Sequence, residues 1–158
     1  MRVYLDHNAT APLRPEARAA MTAALDLHGN AQSVHAEGRR ARQLIEAARS
    51  QVATLVGAKA DEVIFTGGGS EANALALRGA IQAAAEGGGR ITRIIVSAVE
   101  HESVRANAAA CEEVFAGVRV MACPVSTAGI IDVAELRRML NEGKGRALVS
   151  VMAANNET

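Results

Sequence analysis

The chain has 158 residues, of which 49% are hydrophobic and 2% aromatic, and its 17 basic and 17 acidic side chains leave no net charge. This length allows an aliphatic core, and the balanced charge argues against the strong positive field of nucleic-acid-binding and membrane-surface proteins. The two cysteines lack CxxC spacing and neighbouring histidine pairs, which argues against a disulfide framework or a metal site and predicts reduced thiols.

The first third of the chain is predicted to be helical. Pro15 is placed to begin a helix that Gly29 would end. Apolar residues at three- and four-residue steps predict a longer helix over 37–56, which ends at Gly57. No stretch has the roughly 18 uninterrupted apolar residues of a membrane span, and no leader is apparent, so we expect a cytoplasmic protein without a membrane partner.

Strands and helices alternate in the rest of the chain. The predicted elements are a strand at 63–65, a helix from Ser70, a strand at 94–96, a helix at 103–115, a strand at 118–123, a helix that Asp132 begins and a strand at 147–153. This alternation is typical of parallel βαβ units. We therefore predict the α/β class, a mostly parallel sheet covered by helices, with residues 1–158 in one domain and a helical segment up to about Ala58.

Three polar groups follow predicted strands, where ligands bind in open parallel sheets. They are the glycine loop 67–69 with Ser70, the pair Glu100 and His101, and the segment 155–157. The glycines and the free N–H groups of a helix start favour an anion, although Ser70 could simply cap the helix. His101 could stack on a flat ring or move a proton, or could be a surface capping residue, and the asparagine pair could form an ordinary turn.

The order of the motifs resembles the cysteine desulfurases of the class V aminotransferase group. The motifs are Tyr4-Leu5-Asp6, Ala9-Thr10-Ala11-Pro12, Gly29-Asn30 with Ser33 and His35, Phe65-Thr66-Gly67-Gly68-Gly69-Ser70-Glu71, Glu100-His101 and Asn155-Asn156-Glu157. The sequence departs from the family pattern in Ala31, where proline is usual, and in Ser70, where threonine is more frequent.

The resemblance implies a fold-type I enzyme that uses pyridoxal 5′-phosphate to take sulfur from L-cysteine, leaving alanine and an enzyme-bound persulfide. It implies that Gly69 and Ser70 bind the cofactor phosphate, that His101 stacks on the pyridine ring and acts in catalysis, and that Asn155 hydrogen-bonds the ring's phenolic oxygen. It further implies a homodimer and a sulfur-acceptor or scaffold protein for iron–sulfur cluster assembly or thiolation.

The family's Schiff-base lysine, pyridine-binding aspartate and mobile-loop cysteine have no counterparts in these 158 residues, so we expect an N-terminal part of the large domain that is inactive alone. Lys59 and Lys144 are expected on the surface, and Cys111 and Cys123 in structural positions. Two alternatives stay open. One is another class V enzyme such as a selenocysteine lyase, and the other is a noncatalytic remnant or binding module.

Overall fold

A computed structural model of the protein describes residues 3–157. The chain forms two compact units, Met1–Phe65 and Thr66–Thr158. The assignment of the whole chain to one domain stays a prediction. Over the described residues, no helix combines the length and the apolar character needed to cross a bilayer.

The first unit contains α1 at Pro15–Leu25, α2 at Ala36–Val56 and a short 3₁₀ helix at Ala60–Glu62. Helix α1 begins at the predicted proline but ends well before Gly29, with Asp26 as its last capping residue. No residue of α1 is buried. Packing therefore gives the chain no reason to continue the helix to the glycine, and the prediction of its end was wrong.

Helix α2 confirms the prediction made from its apolar stripe. It is 21 residues long, and its C-terminal cap is Gly57 with φ of 68° and ψ of 28°. The Gly57 N–H donates to the carbonyls of Ala53 and Thr54, which closes the last turn. A left-handed backbone is costly for residues with a Cβ atom, so the glycine ends the helix where the periodicity ends.

The strand predicted at 63–65 was wrong. Val63 has extended backbone angles, with φ of −96° and ψ of 123°, but among residues 3–157 the segment pairs with no strand. Ile64 is 67% exposed and Phe65 is 49% exposed, with the Arg49 guanidinium 5.2 Å from the Phe65 ring centroid. A short apolar run predicts extended backbone, but the segment becomes a strand only where its backbone hydrogen-bonds to a neighbouring strand.

The second unit confirms the other alternating elements. They are α3 at Gly69–Glu86, β1 at Ile91–Ser97, α4 at Glu102–Val114, β2 at Arg119–Cys123, α5 at Val133–Asn141 and β3 at Arg146–Ser150. Asp132 begins α5 as predicted, because its Oδ1 accepts the Glu135 N–H at 2.9 Å. Strand β3 ends at Ser150, short of the predicted residue 153.

The three strands form a parallel sheet in the order β2-β1-β3, which confirms the α/β class. Ser97 of β1 lies opposite Cys123 of β2, and Val96 of β1 lies opposite Ser150 of β3. All three strands therefore end at one edge, called here the carboxyl edge. The segments that follow β1 and β3 begin side by side there.

Helices cover both faces of this sheet. Ile94 and Val96 of β1 pack in a cluster with Leu77 of α3 and Cys111 of α4, whereas Ile95 packs with Met139 of α5. Ile94 and Ile95 are both 0% exposed. Alternate side chains of a strand point to opposite faces, so a continuous apolar run fits a central strand that is buried twice.

At the opposite, amino edge of the sheet, a buried arginine holds the end of α5. The Arg93 side chain is 8% exposed and donates to the carbonyls of Met139 at 2.6 Å, Gly143 at 3.3 Å and Gly145 at 3.2 Å. These acceptors include carbonyls left unpaired by the helix end, where a cation is favourable. Arg93 therefore has a structural role far from the carboxyl edge.

Candidate functional site

His101 and Asn155 meet at the carboxyl edge because β1 and β3 are neighbours. His101 lies four residues after the end of β1, and Asn155 lies five residues after the end of β3. The Asn155 Nδ2 donates to the carbonyl of Val99 at 2.9 Å. Both side chains line one cavity of about 150 Å³. The structure thus brings together two of the predicted site residues that are 54 positions apart.

The geometry around His101 determines which ring nitrogen carries the proton. His101 is the N-cap of α4, and its Nδ1 lies 3.0 Å from the backbone nitrogen of Ser103 and 2.8 Å from the Ser103 Oγ. A backbone N–H can only donate, so Nδ1 is an acceptor. In the neutral ring the proton therefore lies on Nε2, the nitrogen that remains for a ligand.

The start of α3 has the character of an anion site. Gly68 is its N-cap, and among the described residues no side chain caps this helix. The Gly67 N–H donates to the Glu71 Oε2 at 2.6 Å, so that amide is engaged. Gly67, Gly68, Gly69 and Ser70 are all exposed. The first N–H groups of the 18-residue helix face outward, with the positive end of its dipole.

Two asparagine side chains connect the start of α3 to the start of α4. The Asn107 Nδ2 donates to the carbonyl of Ser70 at 3.2 Å and to that of Ser103 at 2.7 Å. The Asn73 Nδ2 donates to the Ser103 Oγ at 2.8 Å. The glycine loop and His101 therefore lie on two helix ends that are joined by two hydrogen bonds, Asn107 to Ser70 and Asn73 to Ser103.

Asn155 itself is held in one orientation. Its Oδ1 accepts the Glu157 N–H at 2.7 Å, while its Nδ2 donates to Val99. Because a backbone N–H only donates, the side-chain atom that faces the Glu157 N–H must be the amide oxygen. The atom that faces the Val99 carbonyl is therefore the amide nitrogen. The amide is also half-buried, so its direction at the carboxyl edge is set before any ligand binds.

Asn73, Ser103 and Asn107 were missed as site residues by the sequence reasoning, and Glu100 was noticed without a role. Glu100 is 6% exposed, and its Oε1 accepts from the Ser150 hydroxyl at 3.5 Å. The available signal was the placement of Asn73 and Asn107 in otherwise alanine-rich helices, near their first turns. Spacing along the chain does not show that these two helices are neighbours.

The lysines and cysteines lie elsewhere, as expected. Lys59 and Lys144 are exposed, and Lys144 lines a cavity at the amino edge with Arg93. Cys111 and Cys123 are free thiols, each 0% exposed. Burial raises the pKa of both thiols, and the nearby Asp132 carboxylate adds to the increase in the pKa of Cys123. Within residues 3–157, no three His, Cys, Asp or Glu side chains group as a metal site requires.

A parallel sheet with polar side chains and a glycine-rich helix start at its carboxyl edge is the arrangement in which open α/β sheets bind ligands. The Aminotransferase class-V family matches residues 3–158, and the chain belongs to this family.

Cysteine desulfurases are among the similar proteins. An IscS-like cysteine desulfurase of Mycobacterium tuberculosis is 42% identical, over 98% of this chain and 39% of its own length. A human selenocysteine lyase is 35% identical, over 99% of this chain and 38% of its own length. A solved NifS-like protein superposes with a TM-score of 0.86 and 31% identity, over 99% of this chain and 42% of its own.

The chain therefore spans about 39% of the length of the curated relatives it matches. The resemblance to cysteine desulfurases and the fold-type I assignment are confirmed by these matches. The roles of Gly69, Ser70, His101 and Asn155 stay predictions.

Proposed function

We propose that the protein carrying this chain is a pyridoxal-phosphate-dependent cysteine desulfurase, to which the chain contributes one part of the cofactor site. The observation that carries the proposal is the convergence at the carboxyl edge. The start of α3 is hydrogen-bonded to the start of α4, and His101 shares a cavity with Asn155. Three motifs of one family thereby lie near one sheet edge, which supports a shared ligand site.

The start of α3 fits a phosphate group. A Cβ atom placed on Gly68 or Gly69 would meet no atom within 4 Å, so an oxyanion can approach the backbone there. The amides of the first helical turn and the Ser70 hydroxyl are suitable donors. The Glu71 carboxylate opposes an anion, but it is engaged by the Gly67 N–H. In this proposal Gly69 and Ser70 bind the phosphate.

His101 and Asn155 would act on the ring side of the site. When bound, pyridoxal phosphate supplies the conjugated ring that withdraws electrons from the substrate α-carbon. His101 would stack on that ring and exchange a proton through Nε2, because Nδ1 is engaged by Ser103. Asn155 would orient the ring through its phenolic oxygen.

The proposed substrate is L-cysteine, and the products are alanine and a persulfide on the enzyme. The persulfide would pass its sulfur to an acceptor or scaffold protein for iron–sulfur clusters or thiolation. We also propose a cytoplasmic homodimer. The two free, buried thiols fit a reducing compartment, and Leu25 and Leu55, which are 80% and 84% exposed, fit a surface that further protein covers.

A selenocysteine lyase is the second candidate, favoured by the 35% identity to the human enzyme of that name. Sulfur and selenium substrates share the same cofactor chemistry. Parallel assays with cysteine and selenocysteine would separate the two activities. A noncatalytic remnant or binding module would release alanine from neither substrate and would show no absorbance band of a lysine-bound cofactor.

The test is the release of alanine and sulfide from cysteine, with a thiol reductant present, by the protein that carries this chain. Ser70→Ala should raise the cofactor concentration needed for half-saturation by about tenfold, since one charge-assisted hydrogen bond is lost. His101→Gln should lower kcat by about 100-fold at saturating cofactor, since a proton-transfer group is lost.

Matched controls lie outside the proposed site. Ser50→Ala changes an exposed serine on α2, and His28→Gln changes an exposed histidine in the loop after α1. Both should leave cofactor saturation and kcat within about twofold of the original protein. If Ser70→Ala and Ser50→Ala behaved alike, the phosphate-binding role would be wrong. If no alanine formed, the proposed activity would be wrong.

A further inference from the structure

A chain of side-chain hydrogen bonds crosses from α3 to the imidazole of His101. The Asn73 Nδ2 lies 2.8 Å from the Ser103 Oγ, which lies 2.8 Å from the His101 Nδ1. The Ser103 backbone N–H reaches the same Nδ1 at 3.0 Å. Asn73 and Ser103 are half-buried, whereas His101 is exposed at the end of the chain.

Only one set of donors and acceptors satisfies all these contacts. The Ser103 N–H makes Nδ1 an acceptor, so the Ser103 hydroxyl, 2.8 Å from the same atom, must donate its hydrogen to Nδ1. The Oγ lone pairs then remain for Asn73. Asn73 must therefore present its NH₂ group, which is the orientation observed.

We infer that Asn73 and Ser103 are positioning residues that hold His101 in the Nε2–H tautomer. Asn73 directs the Ser103 hydroxyl, and the hydroxyl and the N–H together occupy Nδ1. A hydrogen on Nδ1 would point at the Ser103 N–H, which can only donate, so that form of the ring is disfavoured. The importance of this relay for catalysis rests on the proposed function of His101, whereas the tautomer itself does not.

Helix capping alone does not account for the relay. A cap at α4 requires only that His101 accept the Ser103 N–H. Asn73 is 30 residues away on another helix, and it adds nothing to that cap. Asn73 also lies one turn from Ser70 on α3, so the relay couples the proposed phosphate-binding helix to the proposed proton-transfer group.

The test is the tautomer of His101, measured by long-range proton–nitrogen NMR on histidine-labelled protein that carries this chain, without added cofactor. Signals of His101 are assigned by their loss in His101→Gln. Asn73→Asp keeps the shape of the side chain but can only accept, so it must take the Ser103 hydroxyl hydrogen away from Nδ1. The population with hydrogen on Nδ1 should then rise about fivefold, as expected for one ordinary hydrogen bond.

The matched control is Ala106→Asp, which adds the same charge at an exposed position of α4, three residues after the same serine, and removes no hydrogen bond between α3 and α4. It should leave the tautomer unchanged. Ser103→Ala provides a second test and should also raise the Nδ1–H population, whereas Ser103→Thr, which keeps the hydroxyl, should restore the original spectrum.

Equal spectra for Asn73→Asp and the original protein would overturn the relay, and so would equal shifts in Asn73→Asp and Ala106→Asp. The proposed function is judged separately by alanine release. A correct tautomer response without cofactor-dependent activity would leave the relay standing and remove the proposed reaction. Cofactor-dependent activity without a tautomer response would support the proposed reaction and overturn the relay.

Discussion

Asn155 is restrained by two hydrogen bonds of opposite direction, which makes its amide hard to replace. Asn155→Asp should lower the free energy of unfolding by about 1–2 kcal/mol, because the new carboxylate oxygen would face the Val99 carbonyl where an N–H now donates. Chemical denaturation measures this change. Asn156→Asp, at the exposed neighbouring position, adds the same charge and should cost far less. Equal losses would contradict the assigned orientation of Asn155.

Burial protects both thiols from modification. Cys111 and Cys123 are 0% exposed and have raised pKa values. A thiol reagent at neutral pH should therefore modify neither cysteine in the folded chain within the time that modifies both in denaturant. Counting the modified thiols by mass spectrometry checks this. Rapid modification of either one in the folded chain would contradict its structural role.

The same raised pKa values predict a loss of stability at alkaline pH. Above the ordinary thiol pKa of 9.0, the unfolded chain releases its thiol protons while the folded chain retains them. The unfolded state then binds fewer protons, so the free energy of unfolding falls as pH rises. Thermal melts from pH 8 upward should show this fall, and the double variant Cys111→Ala and Cys123→Ala should show a shallower one.

At the residue scale, the sequence predicted that His101 and Asn155 lie at one edge of the sheet, but it did not predict the hydrogen bonds that hold them there. His101 and Asn155 were identified because each follows a strand, and the ends of parallel strands meet at one edge. The contacts of Asn73 and Ser103 were not predicted, because a hydrogen bond between two helices depends on their relative placement. Local periodicity carries no information about that placement.

At the scale of elements, two glycines in different backbone conformations show where a helix requires glycine and where it does not. Gly57 caps α2 with a φ of 68°, whereas Gly79 lies inside α3, where an added methyl group would meet no atom within 4 Å. Gly57→Ala should destabilise the chain by about 1 kcal/mol, and Gly79→Ala should stabilise it by about 0.5–1 kcal/mol. Denaturant melts that gave both changes the same sign would contradict this account.

The predictions were right for elements whose stability comes from local sequence and wrong where it depends on contacts with other segments. Helix α2 has an apolar stripe and a glycine end, and strand β1 has a continuous apolar run buried on both faces, so local sequence determines both. The segment 63–65 has the same apolar character but pairs with no strand in the described part of the chain. Helix α1 ends early because none of its residues is buried. In both segments the outcome depends on packing and pairing partners rather than on local sequence.

At the scale of the whole molecule, the core is concentrated in the second unit. The buried clusters come from β1 and the helices on its two faces. In the first unit, Gly38 and Ala53 are the only buried residues of α2. Apolar burial is the main source of folding stability, so the sheet unit should support the carboxyl edge without help from the helices that precede it.

Hydrogen exchange should show this difference directly. Amides of β1, whose Ile94 and Ile95 are 0% exposed, should open only with the global unfolding of the sheet, whereas amides of α1 should open locally. We expect β1 amides to exchange at least about 1,000-fold more slowly, the ratio that a global stability of about 5 kcal/mol permits. Mass spectrometry of labelled peptides resolves the two regions. Equal protection of α1 and β1 would mean that the first helix is held by contacts as extensive as those of the central strand, and the assignment of stability to the sheet unit would be wrong.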